Sequence, residues 1–191
     1  MTKQLDIWTS KFGEDWTDRN IIDSKTRVAA FKKMIGDLYI KSIVEIGCGA
    51  GHNLISLSML NSSYTLIGID PSLYAVVKAL KNKVTTFIGD CFDTHLRSSY
   101  YDLVFTSGVL MHVSPEDMNR TVEEISRIAK KYILIIEYYS EKEESIEYHG
   151  HTDLLWKRDY SNIFPNLIRG GPLTKEEGFD RCHFFLFERG I

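Results

Sequence analysis

Three scarcities and one balance narrow what this chain can be. Its three cysteines, Cys48, Cys91 and Cys182, have neither disulfide nor zinc-ligand spacing, which suits a reducing compartment. Its four prolines are scattered, and no repeat or low-complexity linker interrupts the 191 residues. No apolar run approaches the length that spans a bilayer, and the polar start Thr2-Lys3-Gln4-Leu5-Asp6 lacks the apolar core of a secretory leader. The expectation is a cytoplasmic protein with no membrane partner. A net charge of −3 and the lack of a basic run argue against nucleic acid as a partner. With 43% hydrophobic and 26% charged residues, the chain has the composition of one globular domain with a substantial core.

Against this plain background one stretch stands out. Ile43-Val44-Glu45-Ile46 is a β-branched run, and it enters a turn with glycine at alternate positions, Gly47, Gly49 and Gly51. Helical periodicity follows in Leu54, Ile55, Leu57 and Leu60. A strand, a glycine turn and a helix start bring a nucleotide-like ligand against bare backbone. Glycine is required where a Cβ would block close approach or forbid the dihedrals. Glu45 is a carboxylate in an apolar strand, a costly placement unless donors or a cation meet it.

Later strands repeat the pattern. Tyr64 to Asp70 ends in an acid about 20 residues after the glycine turn, the spacing at which an acid reaches a ribose diol. Val84 to Asp90 ends in another acid, and Tyr101 to Gly108 leads into Val109-Leu110-Met111-His112. Strands that end in polar residues place those residues along one edge of a parallel sheet, where such folds bind ligands.

These elements, in this order over roughly residues 40 to 139, resemble the class I S-adenosylmethionine-dependent methyltransferases. The resemblance implies an α/β fold, a Rossmann-like three-layer sandwich with a mostly parallel seven-strand-type sheet. It implies S-adenosylmethionine as cofactor, with Gly47, Gly49 and Gly51 along the methionine and ribose. Asp70 would hold the ribose hydroxyls, Asp90 the adenine amine, and Cys91 and Phe92 would flank the ring. Cys48, Asn53, Pro71 and Ser107 complete the implied cofactor set, with Glu45 facing the cationic end. Trp8 to Asn20, Glu137 to Tyr139 and Tyr148 to Tyr160 resemble segments of the small methylases associated with pseudaminic acid biosynthesis, and on that basis Trp16, Arg19 and Asn20 join the cofactor residues. A dinucleotide dehydrogenase is the competing reading. It is disfavoured because the glycines run G-x-G-x-G without the G-x-x-G tail that packs against a pyrophosphate.

Methyl transfer from a sulfonium is an in-line displacement, so the protein mainly positions the nucleophile and excludes water. His112, after the fourth strand, is the candidate base, and a helix-start histidine bonded to backbone is the plain alternative. Tyr138 and His151 are the other catalytic candidates. His149, Lys157 and Arg158 are assigned to a small polar or anionic acceptor, with Arg158 suited to a bidentate grip and a solvated charged face as its alternative. His149, His151 and Asp153 do not add up to a metal site. Cys48 and Cys91 read as small packing residues in tight turns. A macromolecular acceptor and a non-catalytic S-adenosylmethionine-binding protein remain the alternative functions.

The organisation expected is a single domain: N-terminal cap helices over 1–40, a cofactor-binding core over 41–139, and an acceptor-side segment with a final strand over 140–191. Residues 25–38 read as an amphipathic helix, and Ser114-Pro115-Glu116-Asp117 as a helix start. Phe184 to Glu188 reads as the last strand, preceded by a faint one near 166–169.

Overall fold

A computed structural model describes residues 2–190. Five parallel strands come first: β1 (Ser42–Ile46), β2 (Thr65–Asp70), β3 (Thr86–Ile88), β4 (Tyr101–Ser107) and β5 (Ala129–Tyr138). A terminal pair, β8 (Leu167–Pro172) and β9 (Cys182–Glu188), adds on with β9 antiparallel to β5. The sheet order is β3-β2-β1-β4-β5-β9-β8. This is the mostly parallel seven-stranded α/β sheet expected. Strand order reverses between β1 and β4, which opens the crevice where such sheets bind ligands.

Both faces of the sheet are covered, so its central strands are largely apolar; Tyr101 to Thr106 of β4 are all buried. One face packs α3 (Val28–Ile35) and α4 (His52–Leu60) around Phe31, Leu57 and Phe105. The other packs α6 (Met118–Ile128) around Ile125, Val104 and Phe187. The helix start read at Ser114 is present, with Ser114 Oγ accepting the Asp117 amide at 3.3 Å, and it leads through a short 3₁₀ turn into α6. A second capped helix, α5 (Leu73–Lys81), links β2 to β3, with the Ser72 hydroxyl accepting the Ala75 amide.

Three regions differ from the sequence expectation. The helix read over 25–38 divides into a 3₁₀ turn, Ser24–Arg27, and α3. Strands and helices are expected to alternate over 42–139, yet no helix forms between β3 and β4 among the described residues. There Asp90 accepts the Phe92 and Asp93 amides and Asp93 accepts the His95 amide, local side-chain bonds that compete with helix formation. Finally, the acceptor-side segment, for which only the terminal strands were read, also holds a hairpin of β6 (Glu144–Tyr148) and β7 (His151–Lys157), forming its own two-stranded sheet. Leu154, Leu155 and Trp156 are buried, which anchors the hairpin on the domain.

Two N-terminal helices, α1 (Lys3–Trp8) and α2 (Lys11–Arg19), close over the sheet edge that carries the glycine turn. Gln4 Nε2 donates to the Asp153 carbonyl at 3.3 Å, and Trp16 Nε1 to the Tyr148 hydroxyl at 3.1 Å, so hairpin and helices form one clasp.

Candidate active site

The glycine turn is built by backbone geometry. Gly47 has φ +71°, and a Cβ there would stand 2.3 Å from Val109 Cγ2. Gly49, at φ +53°, has nothing nearer than the Trp16 ring at 4.0 Å, so its bare backbone faces open space. The Gly47 and Cys48 amides both donate to the Ile69 carbonyl, tying the turn to the end of β2. Asp70, also at that end, accepts the Gly49 amide at 2.8 Å and the Ser72 amide at 2.9 Å. Burial pushes its carboxyl up to about 6, with the two amides opposing.

Two cavities meet at this turn. The first, about 110 Å³, is mostly apolar and is lined by Asp70, Pro71, Asp90, Cys91, Phe92, His112 and Val113, with Leu5, Trp8 and Trp16 of the clasp. Asp90 Oδ1 is occupied by the Phe92 and Asp93 amides. Cys91 packs against the Thr121 hydroxyl and burial pushes its thiol up to about 12, which suits the packing role and not a nucleophile. The second cavity, about 300 Å³, is lined by Asn20, Arg27, Glu45, Cys48, Asn53, Met111 and Tyr138, with Phe179, Asp180 and Cys182. Trp16, Thr17, Gly47, Gly49, Ser107 and Gly108 line both.

A polar relay runs under the second cavity. Asn53 Nδ2 donates to Glu45 Oε1 at 2.6 Å, and Arg27 Nη1 donates to Asn53 Oδ1 at 2.6 Å. Arg27 Nε donates to the Gly178 carbonyl, and its guanidinium lies 4.2 Å over the Phe179 ring. Glu45 Oε2 is buried without a partner, and burial pushes this carboxyl up to about 8 despite Asn53 and Arg27. A buried carboxylate oxygen left open is a place for a ligand cation. On the far side of the turn Trp8 Nε1 is an unpartnered buried donor. The ammonium of a zwitterionic methionyl end fits the open Glu45 Oε2, with Arg27 beside it, a ribose at Asp70 and a flat ring by Phe92. Arg27 escaped sequence reading because nothing local separates it from the other cations of 25–33.

The turn after β4 carries the candidate base. Glu137 of β5 is fully buried and gathers this turn, accepting from the Val109 and Leu110 amides at 3.0 Å, the Met111 amide at 3.2 Å and the Thr106 hydroxyl at 3.0 Å. His112 Nδ1 lies 2.6 Å from the Leu154 carbonyl. A carbonyl only accepts, so the proton is on Nδ1 and Nε2 carries the lone pair. Burial lowers the imidazole to about 4, leaving it neutral. Its ring stands 4.6 Å from Trp8 and 5.4 Å from Tyr148.

Other expected site residues lie elsewhere. Arg19 is exposed and lines neither cavity, while Asn20 beside it lines the second. Gly51, at φ +83° with Val84 2.8 Å from a would-be Cβ, shapes the helix start and lines no cavity. His149 and His151 pack edge-on against Phe12 on the outside of the clasp. Lys157 pairs with Glu144 at 3.7 Å. Arg158 is buried: it donates to the Leu110 and Val113 carbonyls and pairs with Glu143. None of these four residues lines either cavity: His149 sits in the hairpin turn, and the other three are engaged by Phe12, Glu144 and backbone carbonyls. Among the described residues no cluster of metal-ligating side chains occurs.

Comparison with known proteins agrees with this geometry. Residues 44–135 match the family model described as a methyltransferase domain. No curated protein matches the chain. Among solved structures, magnesium protoporphyrin IX methyltransferase from Synechocystis PCC 6803, with bound S-adenosylhomocysteine, is 16% identical with TM-score 0.72, covering 97% of each chain. A methyltransferase from Aquifex aeolicus described as S-adenosylmethionine-dependent is 18% identical with TM-score 0.68, over 94% of this chain and 100% of that one. A chain from the complex between the Haloferax volcanii Trm112 methyltransferase activator and a methyltransferase is 16% identical with TM-score 0.65, over 97% of this chain and 96% of that one. The structural likenesses speak to the fold, and the family match to the chemistry. Residues 44–135 thus match the methyltransferase-domain family, and the chain shares its fold with solved S-adenosylmethionine-dependent methyltransferases.

Proposed function

We propose that this protein transfers a methyl group from S-adenosylmethionine to a small polar acceptor, which enters by the Tyr138 side of the second cavity beside the amino-acid end of the cofactor at Glu45 and Arg27. The observation that carries the reading is the junction: Ser107 and Gly108 line both cavities, with His112 on the first and Tyr138 on the second. A nucleophile at that junction stands between the cofactor side and the open side. The second cavity has the scale of a small molecule. The anionic character expected of the acceptor loses its support, since Lys157 and Arg158 are both engaged elsewhere.

Bound S-adenosylmethionine supplies an electrophilic methyl on a sulfonium. The chain supplies position and dryness. Glu45 and Arg27 hold the charged end, Asp70 the ribose, and Trp8 and Trp16 exclude water from the transfer. His112 Nε2 takes the proton that an O–H or N–H acceptor releases, and the Leu154 carbonyl keeps the ring in the tautomer that can do so. Burial raises the Tyr138 phenol above its ordinary value, so it serves as a hydrogen-bond donor to the acceptor.

Incubation with methyl-labelled S-adenosylmethionine and a panel of hydroxy, amino and carboxylic metabolites tests the proposal, with total protein and RNA as competing acceptors. Label in a small molecule supports it; label confined to macromolecules overturns it. His112→Gln should lower the rate about 100-fold or more with cofactor affinity nearly unchanged. A drop in both affinity and melting temperature would assign His112 to structure.

A further inference from the structure

The turn that carries His112 is held at both of its polar ends by two buried ionisable side chains. Its amides at 109, 110 and 111 all point at one carboxylate, that of Glu137. Its carbonyls at 110 and 113 both accept from one guanidinium, that of Arg158, at 3.0 and 2.9 Å. Glu137 is 0% exposed and Arg158 7%. A 3₁₀ turn as short as Leu110–His112 satisfies few of its own backbone groups, so a buried one needs outside partners. Here those partners come from β5 and from the segment just after β7, not from the turn's neighbours in sequence.

We propose that Glu137 and Arg158 are positioning residues for methyl transfer, gripping the amide and carbonyl ends of this turn so that His112 Nε2 is held open to the cofactor cavity. The inference rests on the reading of His112 as the base. Its logic is geometric. Nδ1 of His112 meets Leu154 on β7, and the backbone of His112 lies between carbonyls that Arg158 holds. Arg158 follows β7 directly, so ring acceptor and backbone clamp move as one unit. Loosening either hand of the clamp frees the turn to shift relative to Leu154, and the Nδ1 proton then loses its partner. A neutral imidazole without that bond exchanges between tautomers, and the fraction presenting a lone pair at Nε2 falls. Neither clamp residue itself lines a cavity, so neither offers the cofactor a direct contact to lose.

The test needs no acceptor. Histidine side chains are labelled with ¹⁵N in the full chain, His112 is assigned by loss of its signals in His112→Gln, and S-adenosylhomocysteine binding is measured by calorimetry. In the wild type the His112 nitrogens should show the single Nδ1-protonated pattern. In Glu137→Gln and in Arg158→Lys they should move toward the averaged two-tautomer pattern, while S-adenosylhomocysteine affinity stays within about threefold. A purely structural role would lower the melting temperature but leave the tautomer of the folded molecules unchanged. If both variants keep the wild-type pattern, or if affinity falls along with it, the proposal is overturned. Should Glu137→Gln fail to fold, Arg158→Lys decides alone. A His112→Gln enzyme that methylates at the wild-type rate would sink the base reading and leave the clamp result to stand by itself.

Discussion

Trp16 Nε1 donates to the hydroxyl of Tyr148 at 3.1 Å across 132 residues of sequence. The bond joins α2 to the β6–β7 hairpin, and Trp16 lines both cavities, so one contact ties the clasp over both. Tyr148→Phe removes a partly buried hydrogen bond worth about 0.5–1.5 kcal/mol. Affinity for S-adenosylhomocysteine should weaken by about 2- to 10-fold, and quenching of Trp16 fluorescence by ligand should diminish. Unchanged affinity and quenching would show that the clasp closes without this bond.

Asp70 accepts two loop amides while facing the first cavity. Asp70→Ala loses the ribose partner and also the brace of the glycine turn. With a charge-assisted bond worth roughly 1.5–3 kcal/mol, affinity for the cofactor should fall about 10- to 100-fold. Calorimetry giving equal affinities would remove Asp70 from the site.

Arg27 and Glu45 are assigned to the amino-acid end of the cofactor, which gives a discrimination test. 5′-Methylthioadenosine has the nucleoside and sulfur of S-adenosylhomocysteine but no carboxylate or ammonium. Wild type should prefer S-adenosylhomocysteine, and Arg27→Gln should lose about 10-fold or more of that preference while binding methylthioadenosine as before. A variant that keeps the full preference would leave Arg27 as a brace for Asn53 and Gly178 only.

The buried carboxyls make the stability of the ligand-free protein depend on pH with a definite sign. The folded state raises Glu45 from its ordinary 4.5 to about 8, so it binds a proton there that the unfolded chain has released. The stabilisation is fully present below 4.5 and is lost as pH rises through about 8. Glu137, raised to about 7, acts in the same direction. His112 acts oppositely: lowered to about 4, it contributes stability above 6.5 that is lost as pH falls through 4. The melting temperature should therefore fall between pH 6 and 8.5, and Glu45→Gln should flatten that fall. Equal slopes in the two proteins would place the titration elsewhere.

Much of the cavity lining around the glycine turn was legible because its signals are local. Gly47 and Gly49 are needed where the backbone enters positive φ, and Asp70, Asp90 and Ser107 are found by counting from strand ends. Burial on both faces makes β4 and β5 read as apolar runs, and hydrophobic spacing announces α4 and α6. The acceptor side was not legible in this way. Lys157 and Arg158 are adjacent cations of the same kind in sequence, yet one ends as a surface ion pair and the other as a buried clamp on carbonyls 45 and 48 positions away. The alternation along β7 does not say which side of the hairpin will meet the turn at His112. Arg27 likewise gains its place only when Asn53 and Gly178 arrive beside it from 26 and 151 residues away. Backbone conformations at the glycine turn depend on residues next to one another, so the sequence alone determined them. The burial of a charge and the direction of a hydrogen bond depend on groups that only the folded chain brings together, and those the tertiary structure decided.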